Sequence, residues 1–484
     1  MEKGDPPVEA YFGDEPALQV FLDDKPVLPE EMIICSLKDW QETGWKPPQS
    51  QEHKRRNKEN LEEKIEYYNC RVAVDPELGR LALLDGEAFG EDDNGPLVQV
   101  SYSYGFGGEI GGGPYNRMDH LRKWIDSSGW DRLKDDEISI KKGVFIQEIS
   151  RKGKSLKEAL SAWKDYAGGR KNTIGLIIIT DSNSVADRRS IGDRSNAAVR
   201  IEMPADSKLA VIAATWPKSA DGKWLIDNLE PDGLRPHLKA DLQIEGQASS
   251  ELILDGLLID GKMELLSSIG RLRLSDCTLV PNDGGLAVLE SADGTSIEMQ
   301  SCIIGPINLK SKFSRLEIWE SIIDGKGGEA ISGKCVELKL QASTVLGKTA
   351  AMALEAENSI FTGMVTATRG QAGCIRFCYL PFDSITPRRY RCQPDKALKE
   401  AEKPEEREAI LKRLIAAFTS ICYGDPGYGQ LSRSIPEEIL YGSEDGSEMG
   451  AFYSLEQPQR EANLRDCLEE YLPIGLNAGI FYVD

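Results

Sequence analysis

Histidine is almost missing from this chain. Three occur in 484 residues, His53, His120 and His237, far apart and with no Cys or carboxylate beside them at ligand spacing. That pattern argues against a histidine-based triad or a histidine-rich metal centre. The ten cysteines are scattered singly, none as CxxC, with Cys374 and Cys378 the nearest two. They suit neither a zinc ribbon nor a disulfide framework, and they point to free thiols in a reducing, bacterial-type cytoplasm. No run approaches 18 apolar residues, so no membrane-spanning segment is expected, and Met1 to Pro7 lacks the charged-then-apolar order of a secretion signal. Basic charge is in short supply: the net charge is −21. Nucleic acid and anionic membranes reward clustered Lys and Arg and are therefore disfavoured partners. The two basic clusters, 53–56 and 388–391, read as solvated loops or ion-pair partners. No Walker A and no HExxH sequence occurs. The glycine run Gly105-Phe106-Gly107-Gly108-Glu109-Ile110-Gly111 lacks GxGxxG spacing, and Pro114 stands where a phosphate-binding helix would start, so it reads as a structural loop.

What the chain does have is repetition. A ten-residue phrase begins at Leu252, Leu272, Ile297, Leu316, Leu338 and Leu354, at intervals of 20, 25, 19, 22 and 16. It starts apolar-x-apolar. Its sixth place holds Leu257, Cys277, Cys302, Ser321, Ser343 and Ser359, its eighth is apolar, and its tenth is Gly or Pro. The period-2 alternation is that of a half-buried strand, and each copy is too short for a helix pair. A strand-turn unit of this length buries its apolar face only by stacking on its neighbours. The phrase therefore predicts a parallel β-helix with Leu252, Leu254, Leu272, Leu274, Ile297, Met299, Leu316, Ile318, Leu338, Leu340 and Leu354 in one core. Cys277 and Cys302 are expected as small buried corner residues.

The flanks read differently. Residues 18–22, 32–34, the hairpin 70–74/80–83 and a strand over 97–104 predict a small antiparallel β domain, with the charged run 46–66 as an insertion or exposed loop. Residues 154–168 are amphipathic, with Leu156, Leu160, Trp163 and Ala167 on one face. This helix is expected to cap the open end of the solenoid, ahead of a buried strand at 174–179 and less regular rungs up to 250. Cys374 to Tyr379 is the last rung-like piece. Beyond 385 come a charged helix over 396–418 interrupted near Pro404, the Gly- and Pro-rich stretch 423–429, a helix over 458–472 and a closing strand at 479–483.

Parallel β-helices can carry carbohydrate chemistry, which needs converging carboxylates. The ninth-place Asp260 and Asp324 lie three rungs apart, about 14 Å at strand spacing. Glu298 and Glu317 stack at the second place but are flanked by Arg273 and Lys339. The fourth place (Asp255, Ser275, Gln300, Trp319, Gln341, Glu357) reads as a mixed solvated ladder, with Trp319 the lone aromatic and expected to pack under a loop. No catalytic, cofactor-binding or metal-binding residue is assigned, and tight glycan binding is not expected.

Several phrases are distinctive: VDPELGRLAL (74–83), VSYSYGFGGEIGGGPYNR (100–117), TPRRYRCQPD (386–395), YGDPGYGQLS (423–432), DGSEMGAFYSLEQPQREANLR (445–465) and the stretch from Gly475 to Tyr482. Through them the chain resembles, over roughly 70–484, an uncharacterised bacterial β-helix protein family associated with phage-tail-like contractile injection systems. The resemblance implies an assembly or accessory protein at the baseplate, with other tail proteins as partners, and carries no catalytic residues. The expected fold is mainly β: an antiparallel β domain (1–120), a connector and cap helix (121–172), a right-handed parallel β-helix (173–384, handed by the general crossover preference) and a C-terminal α+β module (385–484). The expected function is a non-enzymatic structural protein, a possible homo-oligomer without cofactor, nucleic acid or membrane insertion. It would sit in the cytoplasm, from which an assembled particle would be released. The alternatives are a carbohydrate-active β-helix enzyme, a polysaccharide lyase or hydrolase, or a glycan- or receptor-binding spike.

Overall fold

The structure, a computed structural model, describes residues 18–23, 25–38, 47–56, 63–75, 79–84, 98–102, 105–126, 130, 144–150, 153–182, 198–217, 228–312, 314–472 and 479–480. The chain is mainly β and divides into two compact units, Met1–Gly105 and Phe106–Asp484. Most of the expected closing strand at 479–483, Leu97, and the turn residues 76–78 lie outside the described residues.

In the first unit Leu18–Leu22 pairs antiparallel with Lys25–Pro26 and with Val98–Tyr102. The expected hairpin forms between Val72–Asp75 and Arg80–Leu83. The unit is not purely antiparallel, because Met32–Ile34 runs parallel to Val72–Asp75. Period-2 alternation explains the choice of central strand: Val72 and Val74 face a core with Val20, Leu22 and Met32, while Ala73 faces Leu37, Cys70 and Ala82. The charged run is not simply a loop. Ser50–Arg56 and Glu63–Asn69 form an antiparallel pair whose register sets His53 opposite Glu66 and Arg56 opposite Glu63.

The second unit is a β-helix-like parallel solenoid. Leu252, Leu272, Ile297, Leu316, Leu338 and Leu354 are successive Cα partners, so the repeat spacing is the physical register. All eleven expected core residues are buried. The eighth-place residues Ile259, Leu279, Ile304, Ile323, Val345 and Phe361 are buried too and belong to a second ladder. A third ladder runs through Leu242–Glu245, Met263–Leu265, Leu286–Val288 and Ile307–Leu309. The three inner faces share one apolar cluster from Ile149 to Cys392. Parallel pairing begins with Val144–Ile149 against Thr173–Ile179 and ends with Arg388–Tyr390 against Cys374–Arg376.

Thr173–Ile179 is buried on both faces, which accounts for its continuous apolar run. Ile177 and Ile179 look inward. Ile174, Leu176 and Ile178 pack with Leu121, Trp124 and Ile125, the apolar side of a helix at Met118–Ile125, and with Trp130 beyond it. The amphipathic helix forms over Leu156–Ala167, started by a capping box between Ser155 and Glu158. Its Leu156, Ala159, Leu160, Trp163 and Ala167 join the solenoid core. Downstream the charged helix is split as Pro404 requires, into Asp395–Glu400 and Pro404–Arg413, and the last helix is Gln457–Tyr471. Among the described residues no helix is long and apolar enough to cross a membrane.

The candidate functional site: a buried ionic cluster and a neighbouring groove

The turn from the first ladder to the second is a single left-handed residue at the fifth place of the repeat. Gly256, Asp276, Ser301, Glu320, Ala342 and Asn358 have φ of 72°, 50°, 51°, 47°, 47° and 50°. An L residue in that conformation costs about 1–2 kcal/mol. An unbroken row of hydrogen bonds holds it: each of these N–H groups donates to the fourth-place carbonyl of the next rung, from Gly256 N–Ser275 O (3.0 Å) to Asn358 N–Arg376 O (3.2 Å). The sixth place then faces the core, and its N–H must find an acceptor there. The next rung's side chain supplies it: Cys302 N donates to Ser321 Oγ (3.0 Å), Ser321 N to Ser343 Oγ (3.2 Å) and Ser343 N to Ser359 Oγ (3.1 Å). Each hydroxyl donates in turn to its own fourth-place carbonyl. Cys277, Cys302, Cys378 and Cys392 place their thiols on the equivalent carbonyls. This is why the sixth place is Ser or Cys in five of the six copies, Leu257 of the first being the exception. All ten cysteines are free thiols.

The seventh-place residues Leu258, Thr278, Ile303, Ile322, Thr344 and Ile360 alternate outward, yet all are buried. Glycine-rich loops cover them. Gly111 N donates to Ser301 O (2.7 Å), Gly112 N to Thr278 Oγ1 (2.9 Å) and Ala451 N to Thr344 Oγ1 (3.0 Å), while Gly429 lies against Ile322. Gly111 (φ 76°) and Gly450 (φ 97°) are needed twice over. Their backbone is left-handed, and a Cβ would collide with Thr278 or Thr344. Gly111 is thus a structural glycine, and parts of three of the distinctive phrases, around Gly111, Gly429 and Gly450, close over one face of the solenoid.

The first of these loops carries charge into the turn. Arg117 is fully buried. Its Nε lies 3.4 Å from Asp255 Oδ1, Nη1 donates to Gly113 O (2.8 Å) and Nη2 to Ala213 O (2.6 Å). One rung on, Asp276 meets His120 Nδ1 with both oxygens at 3.0 Å and accepts from Tyr115 (3.2 Å) and Ser275 (2.9 Å). Asp255 and Asp276 are both solvent-free, but they are served unequally, and Asp255 Oδ2 has no hydrogen-bond partner. Burial, only partly offset by Arg117, pushes the Asp255 carboxyl up to about 6. Burial disfavours the charged His120 ring, but the Asp276 hydrogen bond and charge outweigh it and raise His120 above its ordinary value. Burial, then the charge of Asp276, raises the Tyr115 phenol. The reading of the fourth place as solvated is corrected at its first two rungs: Asp255 and Ser275 are buried because the 111–117 loop lies over them.

Beside this cluster is a groove of about 360 Å³. Its floor is three rungs of the fourth-place ladder, Gln300, Trp319 and Gln341, which are consecutive Cα partners. Arg273 and Glu298 line it as a 2.6 Å ion pair. Lys123 and Glu320, which both act on the charge of His120, also line it, as does Tyr453. Trp319 is half-buried in this floor, with Tyr453 lining the same groove.

The carboxylates weighed from sequence do not converge. Asp260 faces His237 at 3.5 Å. Asp324 is buried, accepting from Tyr428 (2.9 Å) with Lys326 at 3.4 Å. Glu298 pairs with Arg271 and Arg273, and Glu317 with Arg315. Among the described residues no three His, Cys, Asp or Glu side chains converge as a metal site. Sequence reasoning missed Arg117, His120, Asp255 and Asp276. The single available signal was a pair of carboxylates close to two successive turns, Asp255 at the fourth place of one rung and Asp276 at the fifth place of the next. No protein-family description, no curated protein and no solved structure matches this chain.

Proposed function

We propose that the chain is a non-enzymatic structural protein, an assembly or accessory component of a phage-tail-like contractile injection system that engages other tail or baseplate proteins. In this reading the second unit is a right-handed parallel β-helix closed at its N-terminal end by the helix Leu156–Ala167. The observation that carries the proposal is that a buried ionic cluster is spent internally. Arg117–Asp255 and His120–Asp276 fasten a loop to the solenoid, and Asp255, Asp276 and Arg117 have no exposure to a substrate. Such a site can lock a surface into shape, whereas hydrolysis of a polysaccharide needs two carboxylates that reach the ligand. A parallel solenoid with loops clamped along one face, in an acidic chain, suits protein–protein assembly, and its free thiols fit a reducing cytoplasm before assembly.

The test is affinity purification of the tagged full chain from its native cell, at endogenous level. Enrichment of tail-sheath or baseplate proteins is expected. Recovery of the chain alone, together with polysaccharide turnover by the purified protein that one Asp or Glu substitution abolishes, would replace this reading with the carbohydrate-active enzyme.

A further inference from the structure

We infer that the groove over Gln300, Trp319 and Gln341 is a binding site for a neutral, β-1,4-linked oligosaccharide, held without being cleaved. The inference goes beyond assembly and does not depend on it.

The floor is one flat aromatic ring between two primary amides, repeated at the rung spacing of about 4.8 Å along the solenoid axis. Among the described residues none of these three side chains makes a hydrogen bond, so their polar atoms remain for a ligand. A pyranose with equatorial hydroxyls has an apolar C–H face, which stacks on an indole, and a rim of hydroxyls. Those hydroxyls both donate and accept, as a Gln amide does. β-1,4 linkage keeps such rings in a straight ribbon, matching a floor made of stacked rungs.

The flanking charges favour a neutral chain. Arg273 and Glu298 neutralise one another at 2.6 Å while keeping further donors and acceptors, and Lys123 and Glu320 contribute one charge of each sign. A peptide fits less well. The floor lies on the outer face of a sheet whose backbone groups are paired rung to rung, so strand addition has no edge to use there. The apolar lining on which a peptide's side chains would anchor is likewise small. Catalysis is not part of the inference, because Glu298 is held by both Arg271 and Arg273.

The probes are cellohexaose and chitohexaose, titrated calorimetrically into the full chain. At least one is expected to bind with a Kd below about 1 mM and to be recovered intact. Trp319→Ala should weaken that binding at least tenfold, equivalent to about 1.4 kcal/mol, and Gln300→Ala or Gln341→Ala by a smaller factor. Trp319 points away from the solenoid core, so the variant should unfold at an unchanged temperature, and the amide variants supply a second reading should it not. Failure of both probes to bind below that limit, or equal binding by wild type and Trp319→Ala, overturns the inference. So does protection of Trp319 by a co-purified protein with which neither sugar competes. Cleaved probe would also overturn it, in favour of an enzyme. None of these outcomes bears on whether baseplate proteins co-purify.

Discussion

Two stretches of the same turn solve the same problem in opposite ways. Near Asp255 and Asp276 the corner between the first and second ladders holds ionised groups that its own rungs cannot satisfy. The partners come from more than a hundred residues away, through Arg117, His120 and Tyr115. Near Ser321, Ser343 and Ser359 the corner is neutral, and each rung is completed by the next through one hydroxyl. The second arrangement needs only the repeat. The first makes the solenoid depend on a loop, and so places a conditional element within an otherwise self-sufficient stack of rungs. Buried ion pairs are poor sources of net stability but strong enforcers of geometry once built, because removing one partner strands the other.

The largest break in this contrast should come from Arg117→Met. It leaves Asp255 without the counter-charge of Arg117 and frees the carbonyls of Gly113 and Ala213. A loss of about 3–5 kcal/mol in unfolding free energy is expected by urea denaturation. Arg117→Met with Asp255→Leu should recover most of it, since the uncompensated charge is then gone. If the double variant were no better than the single one, the cluster's cost would lie in packing and not in charge.

The charged corner should also respond to pH where the hydroxyl corner does not. Asp255 titrates at about 6 in the fold against about 3.9 in an unfolded chain. The native state therefore holds a proton that the unfolded chain has released. The stability this supplies is complete below about pH 4 and is lost as pH rises through about 6. His120, raised by Asp276, acts in the same direction: its contribution is present below about 6.5 and disappears as pH rises through its higher folded value. Arg117 and Asp276 face Asp255, and Lys123 and Glu320 lie near His120, so the change belongs to the group as a whole. Between about pH 4 and pH 8 wild type should lose up to about 3 kcal/mol relative to Asp255→Asn, measured as the difference between their two denaturation series. Parallel series would mean that Asp255 ionises normally.

The sequence made the neutral corner readable and the charged one nearly invisible, for a physical reason. A ladder built from identical places announces itself by its period, which is why the core from Leu252 to Leu354 and the small corner residues Cys277 and Cys302 were legible. The rungs before residue 250 were harder because Thr173–Ile179 is apolar on both faces and shows no alternation to count. Arg117 and Asp255 are joined only by the path of a loop, and no local pattern encodes a contact across 138 residues. The charged strands at 50–56 and 63–69 were missed for the related reason that their pairing appears only once the register is known.

The finest test of the contrast exchanges atoms within the neutral corner. Ser343 Oγ accepts from Ser321 N at 3.2 Å and donates to Gln341 O at 2.8 Å, so Ser343→Ala removes an acceptor and a donor from a dry site. A loss of about 1–3 kcal/mol is expected, the range for a buried group left unpaired. Ser343→Cys should cost less, under about 1 kcal/mol, because a thiol offers the same donor and acceptor in weaker form. The chain already uses it that way: Cys302 Sγ lies 3.2 Å from Gln300 O, and Cys378 Sγ both receives Ser359 N and reaches Arg376 O. Urea midpoints for the two variants would decide the matter. Were Ser343→Cys as damaging as Ser343→Ala, side-chain volume and not the relay of hydrogen bonds would be what the sixth place selects, and the neutral corner would be no more self-sufficient than the charged one.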